Sequence, residues 1–146
     1  MPSVAEILSQ KTTSVVSVNP TMTVLDATQL MNLHRIGSVC VVDDAGSLIG
    51  VFSERDVLTR VVAAERSPNT TVVGEVMTSD PCTCTEEIDL DEVAEVMRDR
   101  RVRHIPVIDC NGALKGMISI GDINAHRVSQ QDQHIQMLND YVYGRA

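Results

Sequence analysis

The sequence predicts an α+β fold made of two pseudo-symmetric halves plus a C-terminal helix, and three observations predict it. Ser14 to Val57 recurs without a gap as Asp80 to Ile123, an offset of 66 residues. Within each copy, β-branched runs are interrupted by a segment whose apolar residues fall at helical spacing. Each copy also carries an Asp-x-x-Gly turn between two apolar runs, Asp43-Asp-Ala-Gly46 and Asp109-Cys-Asn-Gly112, as a hairpin requires.

In register, the repeat pairs Met31 with Met97, Arg35 with Arg101, Gly50 with Gly116, Ser53 with Ser119 and Asp56 with Asp122. Pairs that are not identical keep physical type where a core needs it: Val24 with Leu90, Val39 with Ile105, Phe52 with Ile118, Val57 with Ile123. Self-similarity at a fixed offset outranks any local pattern. Ahead of the repeat, Val4-Ala-Glu-Ile7-Leu8 matches Val73-Gly-Glu-Val76-Met77 at an offset of 69, so the first copy carries three extra residues near Gln10 to Thr13. The expected organisation is a first repeat with its N-terminal helix over 1–66, a second over 67–125, and a helical tail over 126–146.

The first helix is announced by Ser3 with Glu6 three residues on, the spacing of a capping box. Ser14 to Val18 is β-branched and reads as a strand ended by Asn19-Pro20. From Thr23, the residues Val24, Ala27, Leu30 and Met31 form one apolar face of a helix to about Arg35, matched from Asp89 to about Arg101. Ser38 to Val42 is uniformly apolar, as a buried strand is, and Leu48 to Phe52 follows it across the hairpin. A helix from Asp56 to about Ala64 closes the first copy, and its counterpart from Asp122 runs longer. Each half is thus β-α-β-β-α, with about three strands and helices on one face. A half this small leaves an apolar sheet face bare, so the two sheets are expected to pack face to face.

In the tail, Ile123, Val128, Ile135, Leu138 and Val142 approach a heptad seam, with Gln131 its polar position. A helix from Ile123 to about Tyr143 would be near 30 Å long. That predicts packing on a dimer partner, the alternative being a helix laid back across its own subunit.

A chain of 146 residues buries roughly 68 to 70% of its unfolded surface and folds without staples. With one Phe, two Tyr and no Trp, it lacks stacking platforms for exposed bases. A net charge of -8 repels a phosphate backbone, so nucleic acid is not an expected partner. No charged-then-apolar leader opens the chain and no apolar run approaches membrane-spanning length, so no membrane role and a cytoplasmic location are expected. The cysteines Cys40, Cys82, Cys84 and Cys110 form no C-x-x-C pair. Cys82 and Cys84 would share a strand face, but no third ligand sits nearby in sequence, and no metal site is expected.

Taken together, the phrases His34-Arg-Ile-Gly-Ser-Val39, Val41-Val-Asp-Asp-Ala-Gly46, Leu48-Ile-Gly-Val-Phe-Ser-Glu-Arg-Asp-Val57, Val102-Arg-His-Ile-Pro-Val-Ile-Asp109 and Gly116-Met-Ile-Ser-Ile-Gly-Asp-Ile123 resemble a tandem pair of CBS domains, the Bateman module. The resemblance covers about Val4 to Ile123. It implies a regulatory module, homodimeric and disc-shaped, that binds an adenosyl ligand: AMP, ADP, ATP, NADH or S-adenosylmethionine.

The resemblance also implies the site. Asp56 and Asp122 match the family's ribose-binding Asp, and Ser53 and Ser119 its phosphate-facing Ser or Thr. Further phosphate contacts are expected from Arg35, Arg55, Arg101, Arg103 and His104. The adenine slot would be walled by Val16 and Val18 or Cys82 and Cys84, and by Ile36 and Gly37 or Val102. The chemistry is apt, since a carboxylate accepts both O–H donors of a cis-diol and a helix N-terminus suits an anion. Set against this, Ser-x-x-Asp before a helix is also a capping box, which needs no ligand. The copies differ at Cys40 against Pro106, at Pro20 against Glu86 and at Gly37-Ser38 against Arg103-His104, so two unequal sites are expected, the second copy being better placed to hold phosphate.

No nucleophile with its base, Gly-rich phosphate loop or metal set supports an enzyme. The leading expectation is an energy or metabolite sensor acting through ligand-biased dimer conformation, in the service of a regulated protein. Its rival is a ligand-free protein-interaction or redox-responsive dimeric scaffold.

Overall fold

Ser3 opens the first helix as expected: its Oγ accepts the Glu6 N–H at 3.4 Å and α1 runs Val4–Gln10. The computed structural model describes residues 2–11 and 14–143. After α1 come β1 (Ser17–Val18), α2 (Val24–His34), β2 (Ser38–Val42), β3 (Leu48–Ser53) and α3 (Glu54–Asp56), which continues as a π-helix over Val57–Val62. The second copy supplies α4 (Val73–Val76), β4 (Thr78–Ser79), α5 (Leu90–Arg100), β5 (His104–Ile108), β6 (Leu114–Ser119) and α6 (Ile120–Tyr143).

The chemistry read from sequence recurs at each boundary. Thr23 Oγ1 caps α2 by accepting the Asp26 N–H at 3.1 Å, and Asp89 caps α5. Both hairpins turn on a left-handed glycine, Gly46 with φ 84° and Gly112 with φ 83°. In each, the leading Asp accepts two backbone N–H groups, Asp43 from Ala45 and Ser47, Asp109 from Asn111 and Ala113.

Three expectations are corrected. The strand read over Ser14 to Val18 is a ladder only at Ser17–Val18, and its counterpart near Cys84 is a single parallel bridge to Val107. The closing helices start at Glu54 and Ile120 rather than at the Asp, because Asp56 and Asp122 are the third helical residues of capping boxes. The first of them is α-helical for only one turn before it widens to π geometry, in which β-branched Val57, Val61 and Val62 sit.

The strands form two sheets: β1-β2-β3-β4, mixed, and β5-β6, antiparallel. They meet at the hairpin turns, where Ser47 bridges Ala113 and Leu48 N–H donates to the Gly112 carbonyl at 3.1 Å. At the other end, Ser38 Oγ lies 3.5 Å from Met117 Sδ.

Each half takes its opening helix from the other. Val73 and Val76 of α4 are buried with Val24, Met31, Val39 and Phe52 of the first copy, while Val4 and Ile7 of α1 are buried with Leu90, Met97, Ile105 and Ile118 of the second. Backbone bonds sew the exchange in place: Val4 N–H to Ile88 O at 2.9 Å, and Val73 N–H to Met22 O at 2.8 Å. These are matching positions in the two copies, so the exchange is itself symmetric.

Ile123 is the last residue of α6 in a core. Beyond it the helix leaves Val128 and Ile135 each 55% exposed and Leu138 50% exposed. The subunit does not cover its own seam.

Candidate functional site

Among the described residues two clefts lie between the halves, one at the foot of each closing helix. The first, about 340 Å³, is lined by Gly37, Ser38, Ser53, Glu54, Arg55 and Asp56 of the first copy and by Thr78, Cys82 and Arg101 to His104 of the second. The second, about 610 Å³, joins Lys11, Val16 and Arg35 to Ser38 of the first copy with His104, Lys115, Met117 and Ser119 of the second. Both volumes suit a small organic ligand. Each cleft therefore crosses the repeat, setting the Ser-x-x-Asp turn of one copy against the leading segment and the helix-terminal arginine of the other.

The local folding that builds each turn is the same. Glu54 N–H donates to Gly37 O at 2.9 Å, and at the matching place Ile120 N–H donates to Arg103 O at 2.8 Å, tying each closing helix to the strand beside it. In the first turn, Asp56 Oδ2 accepts from the Ser53 N–H at 2.9 Å and from its hydroxyl at 3.2 Å, while Ser53 Oγ accepts the Asp56 N–H at 3.3 Å. Asp56 Oδ1 receives Thr78 Oγ1–H at 3.4 Å and lies 3.6 Å from Arg60 Nε, and the residue is only 5% exposed. In the second turn, Asp122 Oδ2 accepts the Ser119 N–H at 2.8 Å and the Lys11 ammonium at 3.0 Å.

Arg35 and Arg101 end α2 and α5 in the left-handed conformation, with φ 55° and φ 54°. This is the position where glycine is usual, because a Cβ costs energy there. Arginine stands there in both copies, Arg101 lining the first cleft and Arg35 the second.

His104 and its counterpart Ser38 line both clefts, at the starts of β5 and β2. Burial holds the His104 imidazole below its ordinary pKa of 6.5; Glu54 and Asp122 pull it up, and Lys11 and Arg103 push it down. Burial also raises the Cys40 thiol to about 12, and the Cys84 thiol to about 11 with a lesser push from Cys82. Both are protonated at neutral pH and poor nucleophiles. Among the described residues, no three His, Cys, Asp or Glu side chains are grouped to hold a metal.

Of the residues expected in the site, the first cleft gathers Ser53, Arg55, Asp56, Cys82, Arg101, Val102, Arg103, His104 and Gly37, and the second Val16, Arg35, Ile36 and Ser119. Val18 and Cys84 line neither and are buried in the two cores. Each strand runs inward, so a side chain two residues beyond the cleft mouth, about 6.6 Å on, is already in the core. Asp122 lines neither cleft; its ion-pair partner Lys11 lines the second. Lys11, Glu54, Thr78 and Lys115 were not expected. For Lys11 a signal existed, since it lies in the three-residue difference between the offsets; for the others there was none.

The family model of the CBS domain matches residues 4–63 and 73–128. The CBS domain-containing protein CBSX3, mitochondrial, of Arabidopsis thaliana is 37% identical over 126 residues, which cover 84% of this chain and 61% of the relative. The crystal structure of a CBS-domain containing protein from Agrobacterium tumefaciens is 34% identical, with a TM-score of 0.79 over 86% of this chain and 98% of that one. A CBS domain protein from Pyrobaculum aerophilum, solved complexed with AMP, is 27% identical with a TM-score of 0.74, over 82% of this chain and 88% of that one. The chain spans 56 to 66% of the length of three of the curated relatives it matches.

Proposed function

The chain belongs to the CBS-domain family, two copies in tandem, and from that premise we propose that it is a regulatory module that binds an adenosyl ligand and signals through the shape of a homodimer. The observation that carries the reading is the pair of left-handed arginines, Arg35 and Arg101, each lining a cleft with residues of the other copy's Ser-x-x-Asp turn, Ser53 to Asp56 in the first and Ser119 in the second. A helix N-terminus with a serine hydroxyl and a guanidinium in the same cleft makes a phosphate seat, and a carboxylate beside it is an acceptor for a ribose diol. The Pyrobaculum relative complexed with AMP supports the same ligand class. In this reading Arg55 and Arg103 add charge around the phosphate and His104 a ring N–H donor, and Cys82, Gly37 and Val102 wall the adenine in the first cleft. Ile36, Gly37 and Val16 would do so in the second.

A mononucleotide of roughly 23 heavy atoms at about -0.3 kcal/mol per atom binds with a Kd near 10 μM. At a hundredfold excess it stabilises the fold by about 2.7 kcal/mol. The dimer reading rests on the bare seam of α6. The cytoplasm suits a chain whose four cysteines are all free, although CBSX3 of Arabidopsis carries a mitochondrial name; among the described residues no helix is long and apolar enough to cross a membrane. No catalysis is assigned.

The rival reading, a ligand-free interaction or redox scaffold, is favoured by one observation: the capping box at Ser53 is complete without any ligand. A thermal-shift panel of AMP, ADP, ATP, NADH and S-adenosylmethionine, with Asp56→Ala and Asp122→Ala as controls, separates the two. Stabilisation by at least one compound, reduced in a control, supports the sensor; no shift from any of the five sinks it.

A further inference from the structure

The two clefts differ in the cation paired with the carboxylate: Arg60 of the same helix on Asp56, Lys11 of the other copy on Asp122. In the first, Asp56 itself is part of the wall. In the second, Lys11 and Ser119 are part of the wall, and Asp122, paired with the lysine, is not. The Lys11 ammonium donates to Asp122 Oδ2 at 3.0 Å and to the Met117 carbonyl at 2.8 Å, and both partners of the ion pair are largely shielded, with side chains 28% and 20% exposed. The same Oδ2 already accepts the Ser119 N–H at 2.8 Å. Asp56, its side chain 7% exposed, is ion-paired too, but with Arg60 of its own closing helix at 3.6 Å, and the other copy reaches it with the Thr78 hydroxyl at 3.4 Å rather than with a cation.

We propose that Lys11 is a built-in stopper of the second cleft. It holds the carboxylate that a ribose would use, so that the subunit takes one adenosyl ligand in the first cleft and excludes a second. This rests on the adenosyl-binding reading above and names its stoichiometry and the residue that sets it. A neutral diol replaces neither the charge nor the geometry of the ammonium. Binding a ribose at Asp122 Oδ2 therefore strips Lys11 of its bond to a charged partner, which lowers affinity there by about tenfold or more. The cleft that remains is lined by Lys11, Arg35, Lys115 and His104, with no unpaired carboxylate in its wall.

Isothermal titration of the full chain, with whichever compound of the five-member panel binds tightest, tests this. Wild type is expected to bind one ligand per chain and to lose it in Asp56→Ala. Lys11→Met, which keeps length and loses charge, is expected to bind two, and adding Asp122→Ala to it to restore one. Lys11→Arg keeps the charge and is expected to stay at one; it and Lys11→Gln, expected to bind two, serve if the Met variant does not fold. Two comparable sites in wild type, a stoichiometry of one in both uncharged variants, or affinity that falls when the charge is removed would each overturn the stopper while leaving adenosyl binding in place. No heat from any compound with any variant overturns the adenosyl reading and the stopper together.

Discussion

Asp56 is held by Ser53 on both sides of the chain: its Oδ2 accepts the Ser53 N–H at 2.9 Å while its own N–H donates to Ser53 Oγ at 3.3 Å. The box exists without ligand, so it contributes to stability whatever the cleft binds. Asp56→Ala keeps the Ser53 Oγ cap, which bonds to backbone, but leaves the part-buried Ser53 N–H without its acceptor, at a cost of about 1 to 3 kcal/mol. Asp56→Ala is therefore expected to melt several degrees below wild type in the absence of any nucleotide. Ligand tests on this variant have to read the shift on adding ligand, not the melting temperature alone. If calorimetry finds the ligand-free variant melting with wild type, the box is an ornament and the carboxylate stands for binding only.

Arg101 illustrates the opposite balance. Its φ of 54° is strained for any residue with a Cβ by about 1 to 2 kcal/mol, and glycine relieves that at an entropic cost of about 0.5 to 1 kcal/mol. Arg101→Gly is expected to keep or slightly raise the melting temperature. It should weaken phosphate-bearing ligands such as AMP while leaving adenosine, which has no phosphate, unchanged. Titration of both ligands checks it; equal losses for the two would remove Arg101 from the phosphate seat.

Much of the fold was legible because its signals are local. Ser3, Thr23 and Asp89 announce helix starts within three residues, and Asp43 and Asp109 build their turns from their own backbone. What was not legible depends on segments distant in sequence. Gly50 and Gly116 match across the repeat, and the structure supplies the reason. A Cβ on Gly50 would stand 2.5 Å from Met77 Sδ and 2.9 Å from the Thr78 carbonyl, and one on Gly116 would stand 2.8 Å from Leu8 Cδ2. Each glycine admits the exchanged leading segment of the other copy. The same exchange carries Lys11 to Asp122, which no pattern along the chain foretells. The candidate site was half legible for this reason: the Ser-x-x-Asp turns are local, but which arginine faces which turn is decided by the exchange.

His104 faces both clefts, with Glu54, Asp122, Lys11 and Arg103 around it. Its folded-state pKa lies below the 6.5 of the free side chain, chiefly through burial. The unfolded chain therefore binds the proton first, so stability is fully present above about pH 6.5 and is lost as pH falls from there through the folded pKa. His104→Asn is expected to flatten that part of the stability profile. A bound phosphate favours the imidazolium, so AMP should bind more tightly to wild type at pH 6 than at pH 8 once the ligand's own titration is subtracted. Chemical denaturation at both pH values, with and without AMP, reads both effects. A profile unchanged by the substitution would remove His104 from either role.

The seam of α6 makes the dimer testable apart from any ligand. Ile135 and Leu138 are 55% and 50% exposed, and Val142 is 69% exposed, although they recur at the spacing by which helices associate. Burying such side chains is worth about 1.5 to 3 kcal/mol each when complete, so two copies of the seam together stabilise a helix pair that one subunit leaves bare. Wild type is expected to sediment as a dimer at micromolar concentration, and Ile135→Asp with Leu138→Asp to sediment more slowly. Because both residues lie outside the two cores, the double variant should keep the secondary structure of a folded subunit by circular dichroism. A wild-type monomer, or a double variant that dimerises as well as wild type, would move the interface away from this helix.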